Sequence, residues 1–317
     1  MADRLSYDEL PRWLLAVGPL VVLGIVAGII YLTSPFGSDE TLAEAGTLEM
    51  LWTLTLIGFI AGIVPVVIGM LWFPFIKSLD HRYLHAVMAL AAGVLAFIAI
   101  EMFDGIVDNA GDASSAPTAW AVAAVGIVGT FAVMYLVSRW RQRTYVQADR
   151  GEGLQVAYMI AIALGLHSIG EGLAIGVAFI EPNAHLVLML TIGFVLHNIT
   201  EGPTVVAAVA REAERPPLRH FAAMGVIAGG PVIVGGWLGA LAVSPLLATL
   251  AFAVALGAIL QVIVEMIKLI RFDARAIVDR VGMRSTYVFG LAVMFVVGFT
   301  GMFILEEVIV DSWIVVE

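Results

Sequence analysis

Long apolar stretches separated by short polar connections occupy almost the whole chain. They predict nine membrane-spanning helices, at about residues 12–33, 49–75, 83–105, 118–138, 153–180, 185–210, 219–243, 246–270 and 286–308. Several of these stretches approach or exceed the roughly 20 residues that a helix needs to cross a hydrocarbon core about 30 Å thick. The predicted fold class is therefore an all-α polytopic membrane protein, a helical bundle that forms a single transmembrane domain over residues 1–317.

The connections between the apolar stretches are short. The longest, at about 34–48 and 271–285, are too short to fold on their own. The first stretch has no small-residue cleavage pattern after it, so we predict a retained leading helix and not a signal peptide. No nucleic-acid module is recognisable in the sequence. We therefore expect the lipid bilayer, and no nucleic acid, as the surroundings of this chain.

Basic and acidic residues lie in connections on opposite sides of the predicted membrane, and this distribution predicts the orientation of the chain. All 16 Lys and Arg residues fall in the connections of one side, with clusters at 139–150 and 268–284. The positive-inside rule assigns that side to the cytoplasm. We thus predict a cytoplasmic N-terminus and an extracellular C-terminus in the plasma membrane. The other side carries acids, which would concentrate cations by their field; solubility in a salty or acidic medium explains them equally well.

The composition limits both the class of protein and the side chains that could bind a metal. The chain is 61% hydrophobic and 13% charged, with a mean hydropathy of +1.00, which excludes an ordinary soluble domain. It has no Cys, so disulfides and thiolate metal sites are excluded. Any bound metal must use imidazole, carboxylate, amide, hydroxyl or water ligands.

One short pattern occurs twice inside the apolar stretches. His167 and Glu171 form the first copy in HSIGEG, and His197 and Glu201 form the second in HNITEG. Residues at i and i+4 share one face of a helix, so two such helices facing each other would bring two imidazoles and two carboxylates to one point. That ligand set suits a divalent transition metal. A hydrogen bond between helices is the structural alternative for a single Glu, but it does not account for two copies.

Depth and charge both favour one shared site. His167 and His197 lie at similar distances from the predicted turn at Glu181–Ala184, roughly 18–21 Å below it at 1.5 Å per residue. A carboxylate at the bilayer centre costs roughly 2.5–3.5 kcal/mol on insertion scales. Two ionised Glu side chains and one divalent ion sum to zero charge, so metal loading removes that cost. We therefore expect metal and protons to compete for the site.

Small residues and prolines add secondary expectations. Glycines recur at four-residue spacing within spans, at Gly58/Gly62, Gly172/Gly176, Gly225/Gly229 and Gly235/Gly239. Such pairs allow close helix packing, or alternatively a smooth surface on which one bundle slides past another.

Pro203 lacks an N–H. We therefore expect the Ile199 carbonyl to lack its helical donor, to lie beside Asn198 and Glu201, and to mark a weakened place in the helix.

Four further residues are candidates for a pathway. Glu101 and Asp104, near the predicted outer end of the third span, could form an entrance, and a capped, solvated helix end explains them equally well. Glu265 could face the cytoplasmic exit. His85 and His81 could receive exiting metal. Interfacial His residues are common, however, so an interpretation in which they have no role in transport is favoured.

At these residues the chain resembles the ZIP (Zrt/Irt-like protein) family of divalent metal transporters, in the prokaryotic type. HSIGEG and HNITEG are similar to the motifs of the family's two central metal-binding helices. ALAAGVLAF in the third span and ALGAILQVIVEMI in the eighth resemble two other core helices. The resemblance covers about residues 49–308, an eight-helix core, with 12–33 as an extra leading helix.

The resemblance implies a first metal site made of His167, Glu171, His197 and Glu201. It also implies a second site using Ser168, Asn198 and the two glutamates as bridging ligands. The chain departs from the family pattern at three positions: Ser168 replaces a common Asn, Leu95 a Met ligand of some members, and Gly230 a Glu before Pro231. By this resemblance, Ser168 and Gly230 thin the second site, whereas the first site is complete apart from Leu95. The sequence therefore favours one principal ion.

The predicted function is therefore import of a divalent metal, with Zn²⁺ as first candidate and Fe²⁺, Mn²⁺, Co²⁺ and Cd²⁺ as alternatives. We expect no prosthetic group and no enzymatic reaction, and the resemblance implies a homodimer. A membrane-embedded metalloenzyme is the rival class. Neither the His–Glu–x–x–His string of zinc proteases nor the Glu–x–x–His string of di-iron bundles occurs in the sequence. A metal-free proton channel or sensor is the third reading.

Overall fold

The protein is an all-α polytopic membrane protein. A computed structural model describes residues 46–71, 81–147, 153–207, 209, 216–281 and 284–304. The helices in these ranges are α1 (Thr47–Gly58), α2 (Val64–Leu71), α3 (His81–Asp112), α4 (Ala116–Gln147), α5 (Gly153–Ile180), α6 (Ala184–Ala207), α7 (Leu218–Gly229), α8 (Pro231–Gly239), α9 (Pro245–Val281) and α10 (Arg284–Ile304). The predicted leading helix at 12–33 lies outside the described residues.

Eight segments in the described ranges are long and apolar enough to cross a membrane, which confirms the second to ninth predicted spans. Two of them are interrupted. A π-helical turn, Phe59–Ile63, joins α1 to α2. The helix pair α7 and α8 forms one span with a break at Gly230, because Pro231 begins the second piece without an N–H to donate backwards.

Several helices extend beyond the predicted boundaries. The connection predicted at about 271–285 is wrong over most of its length, since α9 continues to Val281. No Gly or Pro occurs between Ala258 and Val281, and charged side chains are compatible with a helix that emerges into water. In the same way α3 continues past residue 105 to Asp112.

The described helices pack as two groups. The first group, which we call the site bundle, contains α1, α2 and α5–α8; its most extensive contacts are α5 with α8 and α2 with α6. The second group, the flanking bundle, contains α3, α4, α9 and α10, with α3 and α4 packed on α9 and α10 packed on α3. The two groups meet mainly where α9 contacts α5 and α3 contacts α6.

Glycines set the spacing inside the site bundle. A Cβ placed on Gly172 would lie 2.1 Å from the Val232 carbonyl oxygen, and one on Gly62 would lie 2.2 Å from the Gly229 oxygen. All eight glycines of the predicted four-residue pairs meet another helix of the same bundle within 2.9 Å in this way. The tight-packing interpretation of these pairs is therefore confirmed. At the interface between the bundles, a Cβ on Gly170 would meet the Ala258 Cβ at 3.2 Å, and one on Gly193 would meet the Ile98 Cδ1 at 2.6 Å.

Candidate metal site

The site lies between the antiparallel neighbours α5 and α6. A tight turn joins them, and Asn183 begins α6 by accepting the Leu186 backbone N–H on its side-chain oxygen at 2.9 Å. Since the turn is short, equal distances along the two helices fall at equal depth. His167 and His197 therefore lie side by side, with ring centroids 6.1 Å apart.

All four residues of the predicted first site converge. Glu201 Oε1 lies 2.9 Å from His167 Nε2 and 3.0 Å from His197 Nε2. Glu171 Oε1 lies 3.9 Å and 3.8 Å from the same two nitrogens. The four side chains are only 0–4% exposed. Two helices thus contribute one imidazole and one carboxylate each to a single buried cluster.

These spacings suit a small divalent cation. Ligand bonds of about 2.0–2.2 Å in a tetrahedral site place the ligand atoms roughly 3.3–3.5 Å from one another. The distances from Glu201 are slightly shorter than this, and those from Glu171 slightly longer. Ligand atoms of His167, Glu171 and His197 all lie within 4.8 Å of one another. Small side-chain adjustments would complete a two-nitrogen, two-oxygen coordination shell.

The buried polar atoms of the cluster that have no hydrogen-bond partner within the described ranges include His197 Nδ1, Asn198 Oδ1 and Glu201 Oε2. A buried polar atom without a partner costs about 1–3 kcal/mol. Native sites tolerate this when a ligand satisfies the atoms. The donor set is therefore suited to an ion that supplies the missing interactions.

The two residues predicted for a second site behave differently. Asn198 is fully buried and donates from Nδ2 to Glu171 Oε2 at 3.1 Å and to the Ala61 carbonyl oxygen at 2.9 Å. Ser168 is also buried, but its hydroxyl donates back to the Leu164 carbonyl oxygen of its own helix at 3.1 Å. Asn198 therefore contacts the cluster directly, whereas the Ser168 proton is used within α5.

The four pathway candidates lie outside the metal-capable group found among the described residues. His85 is buried and hydrogen-bonded through Nδ1 to the Tyr287 hydroxyl. This contact favours a structural role for His85 over a role in receiving exiting metal. Glu265 is partly buried, with Oε2 3.9 Å from Lys268 Nζ. Glu101 is partly buried and Asp104 exposed. Because α3 continues to Asp112, the helix-end interpretation of this acidic pair is wrong.

Pro203 lies inside α6, where it supplies no N–H to the Ile199 carbonyl. Helix α6 runs continuously through Pro203. The Ile199 carbonyl oxygen lies against α2, where a Cβ on Gly69 would come within 2.1 Å of it. The Ile199 carbonyl oxygen thus meets the backbone of a neighbouring helix, and close packing replaces the missing hydrogen bond.

Sequence reasoning missed the part that α1 and α2 play at the site. Ala61 lies in the π-helical turn and accepts a hydrogen bond from Asn198. A signal was present in the sequence, because Pro65 stands four residues after Ala61 inside an apolar span. A proline there removes the N–H that would otherwise bond to the Ala61 oxygen.

The acidic side carries a second polar contact, between the two bundles. Asn109 of α3 donates from Nδ2 to Glu181 Oε1, in the turn between α5 and α6, at 2.7 Å. Glu181 is exposed as a residue, but partial desolvation of its carboxyl group raises its pKa above the ordinary value of 4.5; the bond from Asn109 opposes this shift, and the Asp108 carboxylate adds to it.

Replacing Glu181 with glutamine is expected to flatten the pH dependence of thermal unfolding. The folded state binds the Glu181 proton more tightly than the unfolded state, so the protonated side chain favours folding. That contribution is full below pH 4.5 and is lost as the pH rises through the raised folded pKa. The measurement is the melting temperature of both proteins in detergent across a pH series. As the pH rises from 4.5 through the raised pKa, the melting temperature of the wild type should fall relative to that of Glu181→Gln. Glu49→Gln, an exposed acidic-side change, serves as control, and identical slopes for Glu181→Gln and the wild type would contradict the expectation.

No protein-family model matches the chain, and comparison with curated proteins finds no significant relative. The resemblance to ZIP transporters therefore rests on the motif residues alone. The geometry described above stands independently of it.

Proposed function

We propose that this protein is a ZIP-type transporter that carries divalent transition-metal ions across the membrane into the cytoplasm. The observation that carries the proposal is the buried cluster in which Glu201 Oε1 approaches both imidazoles within 3.0 Å. Its composition suits Zn²⁺ first, with Fe²⁺, Mn²⁺, Co²⁺ and Cd²⁺ as alternatives. The ion is the cargo of the protein and is not a resident cofactor.

Charge supports a site that loads and unloads. Glu171 and Glu201 neutralise one divalent ion, so the loaded site carries no net charge into the membrane interior. Four protein ligands leave little room for a reacting substrate beside the metal. A transport role therefore fits the cluster better than a metalloenzyme, whose metal keeps an open position.

The two-bundle packing supports alternating access. All four ligands belong to α5 and α6 of the site bundle, so its movement against the flanking bundle would carry the complete site. The interface contains small side chains such as Gly170 and Ala258. In this proposal metal arrives from the acidic side and leaves toward the side predicted to be cytoplasmic. A homodimer is part of the same proposal.

Metal uptake into proteoliposomes is expected to fall as the external medium is acidified, because protons compete with the ion for two neighbouring carboxylates. The test measures uptake of Zn²⁺ across a pH series at a fixed membrane potential, with Fe²⁺, Mn²⁺, Co²⁺ and Cd²⁺ as competitors and protein-free vesicles as control. A flat pH profile would count against competition at these carboxylates. Metal-free protein that still conducts protons would overturn the proposal in favour of a proton channel.

A further inference from the structure

Two features of the chain leave the Ala61 carbonyl oxygen open to a donor from outside its own helix. In the π-helical turn, the Val64 N–H donates to the Phe59 oxygen, five residues back. Pro65, the residue that would normally bond to the Ala61 oxygen, has no N–H. Ala61 is fully buried, and a buried carbonyl without a donor is costly. Asn198 supplies the donor, from Nδ2 at 2.9 Å.

Both amide protons of Asn198 have acceptors. A primary amide nitrogen carries two hydrogens, and here the second acceptor is Glu171 Oε2 at 3.1 Å. The opposite orientation of the amide would set its oxygen against a carbonyl and a carboxylate, which would repel it. The amide is therefore fixed with nitrogen toward Ala61 and Glu171, and Oδ1 makes no hydrogen bond to any described residue.

We propose that Pro65 is a positioning residue for the metal site. It keeps the Ala61 carbonyl open, that carbonyl orients Asn198, and Asn198 holds the Glu171 carboxylate so that Oε1 faces both imidazoles at 3.8–3.9 Å. This inference rests on the proposed function, because it concerns the same metal cluster. This series of contacts connects the segment of α1 and α2 to α5 and α6, the helices that carry the four residues of the cluster.

The link also explains how one ion is selected over two. The Nδ2 donor of Asn198 occupies the Oε2 side of Glu171, where a second, bridging cation would have to bind. A cation and an N–H donor cannot share that lone-pair direction. Asn198 therefore acts as a hydrogen-bond donor in place of a second metal.

Replacing Pro65 with alanine restores an N–H that can bond to the Ala61 oxygen and compete with Asn198. We expect Co²⁺ to bind with the same stoichiometry but roughly 10- to 100-fold more weakly, the range measured for outer-shell partners. The visible absorption spectrum of bound Co²⁺ should also change, because the Glu171 carboxylate is released from its fixed orientation. Pro117→Ala, at the exposed start of α4, is the matched control and should keep wild-type affinity and spectrum.

A double-mutant cycle with Asn198→Ala distinguishes an effect of Pro65 that acts through Asn198 from a general destabilisation of the helices. If Pro65 acts through Asn198, the double variant should bind Co²⁺ no more weakly than Asn198→Ala alone. Wild-type affinity and spectrum in Pro65→Ala, or losses that simply add, would overturn the inference while leaving the proposed function intact. Absence of Co²⁺ binding in the wild type would instead overturn the proposed function. Unfolding of each variant is followed in parallel, and Asn198→Ala alone must weaken Co²⁺ binding for the inference to stand.

Discussion

Replacing Glu201 with glutamine is expected to abolish stoichiometric metal binding and uptake. Glutamine has the same shape, but it removes the charge that lies within 3.0 Å of both imidazoles. A divalent ion would then be left with a net positive charge in a buried site, which costs several kcal/mol. We expect a loss larger than the 10- to 100-fold typical of outer-shell substitutions. The measurement is metal per protein by elemental analysis, together with uptake into proteoliposomes.

Glu49→Gln is the matched control, because Glu49 is an exposed carboxylate at the start of α1. It should bind and transport metal like the wild type. Full metal occupancy in Glu201→Gln would show that this carboxylate is not a ligand. Retained proton flux combined with no metal in the wild type would instead favour the channel reading.

The spans and the convergence of the two His–Glu pairs could be predicted because their signals are local. Hydropathy over some twenty residues identifies a membrane helix without knowledge of its neighbours. The i, i+4 spacing places His167 beside Glu171 and His197 beside Glu201 on helix faces. The short turn at residues 181–183 then fixes the relative depth of the two helices. Each step uses residues close together in the chain.

The features that sequence reasoning missed depend on contacts between distant residues. Ala61 and Asn198 are 137 positions apart, and nothing in either local pattern predicts their hydrogen bond. The Ile199 carbonyl oxygen lies against Gly69, 130 positions earlier in the chain, which the local pattern around Pro203 does not predict. Helix ends were misjudged where the apolar pattern stops but the helix continues into water, as in α9.

Prolines show the same division between local and distant effects. Pro65, Pro203 and Pro231 each remove one donor, which the sequence alone establishes. What replaces the donor depends on the neighbouring helix. At Pro65 it is the Asn198 amide, and at Pro203 it is close contact with Gly69. Only the first of these reaches the ligand cluster.

Replacing Gly172 with alanine is expected to destabilise the protein strongly. The new Cβ would lie 2.1 Å from the Val232 carbonyl oxygen, so α5 and α8 would have to separate. Overpacking typically costs about 1–3 kcal/mol, and a backbone atom cannot move aside as a side-chain tip can. We expect the melting temperature in detergent to fall by roughly 2–5 °C, and the movement of α5 to weaken metal binding as well.

Two further alanine substitutions make this a graded test. Gly129→Ala meets nothing within 4 Å and should leave the melting temperature unchanged or slightly higher, since alanine favours a helix. Gly170→Ala meets the Ala258 Cβ at 3.2 Å, so its cost should fall between the other two. Equal melting temperatures for all three variants would contradict the packing described here. The expected order reflects a closer backbone approach of α5 to α8 at Gly172 than of α5 to α9 at Gly170.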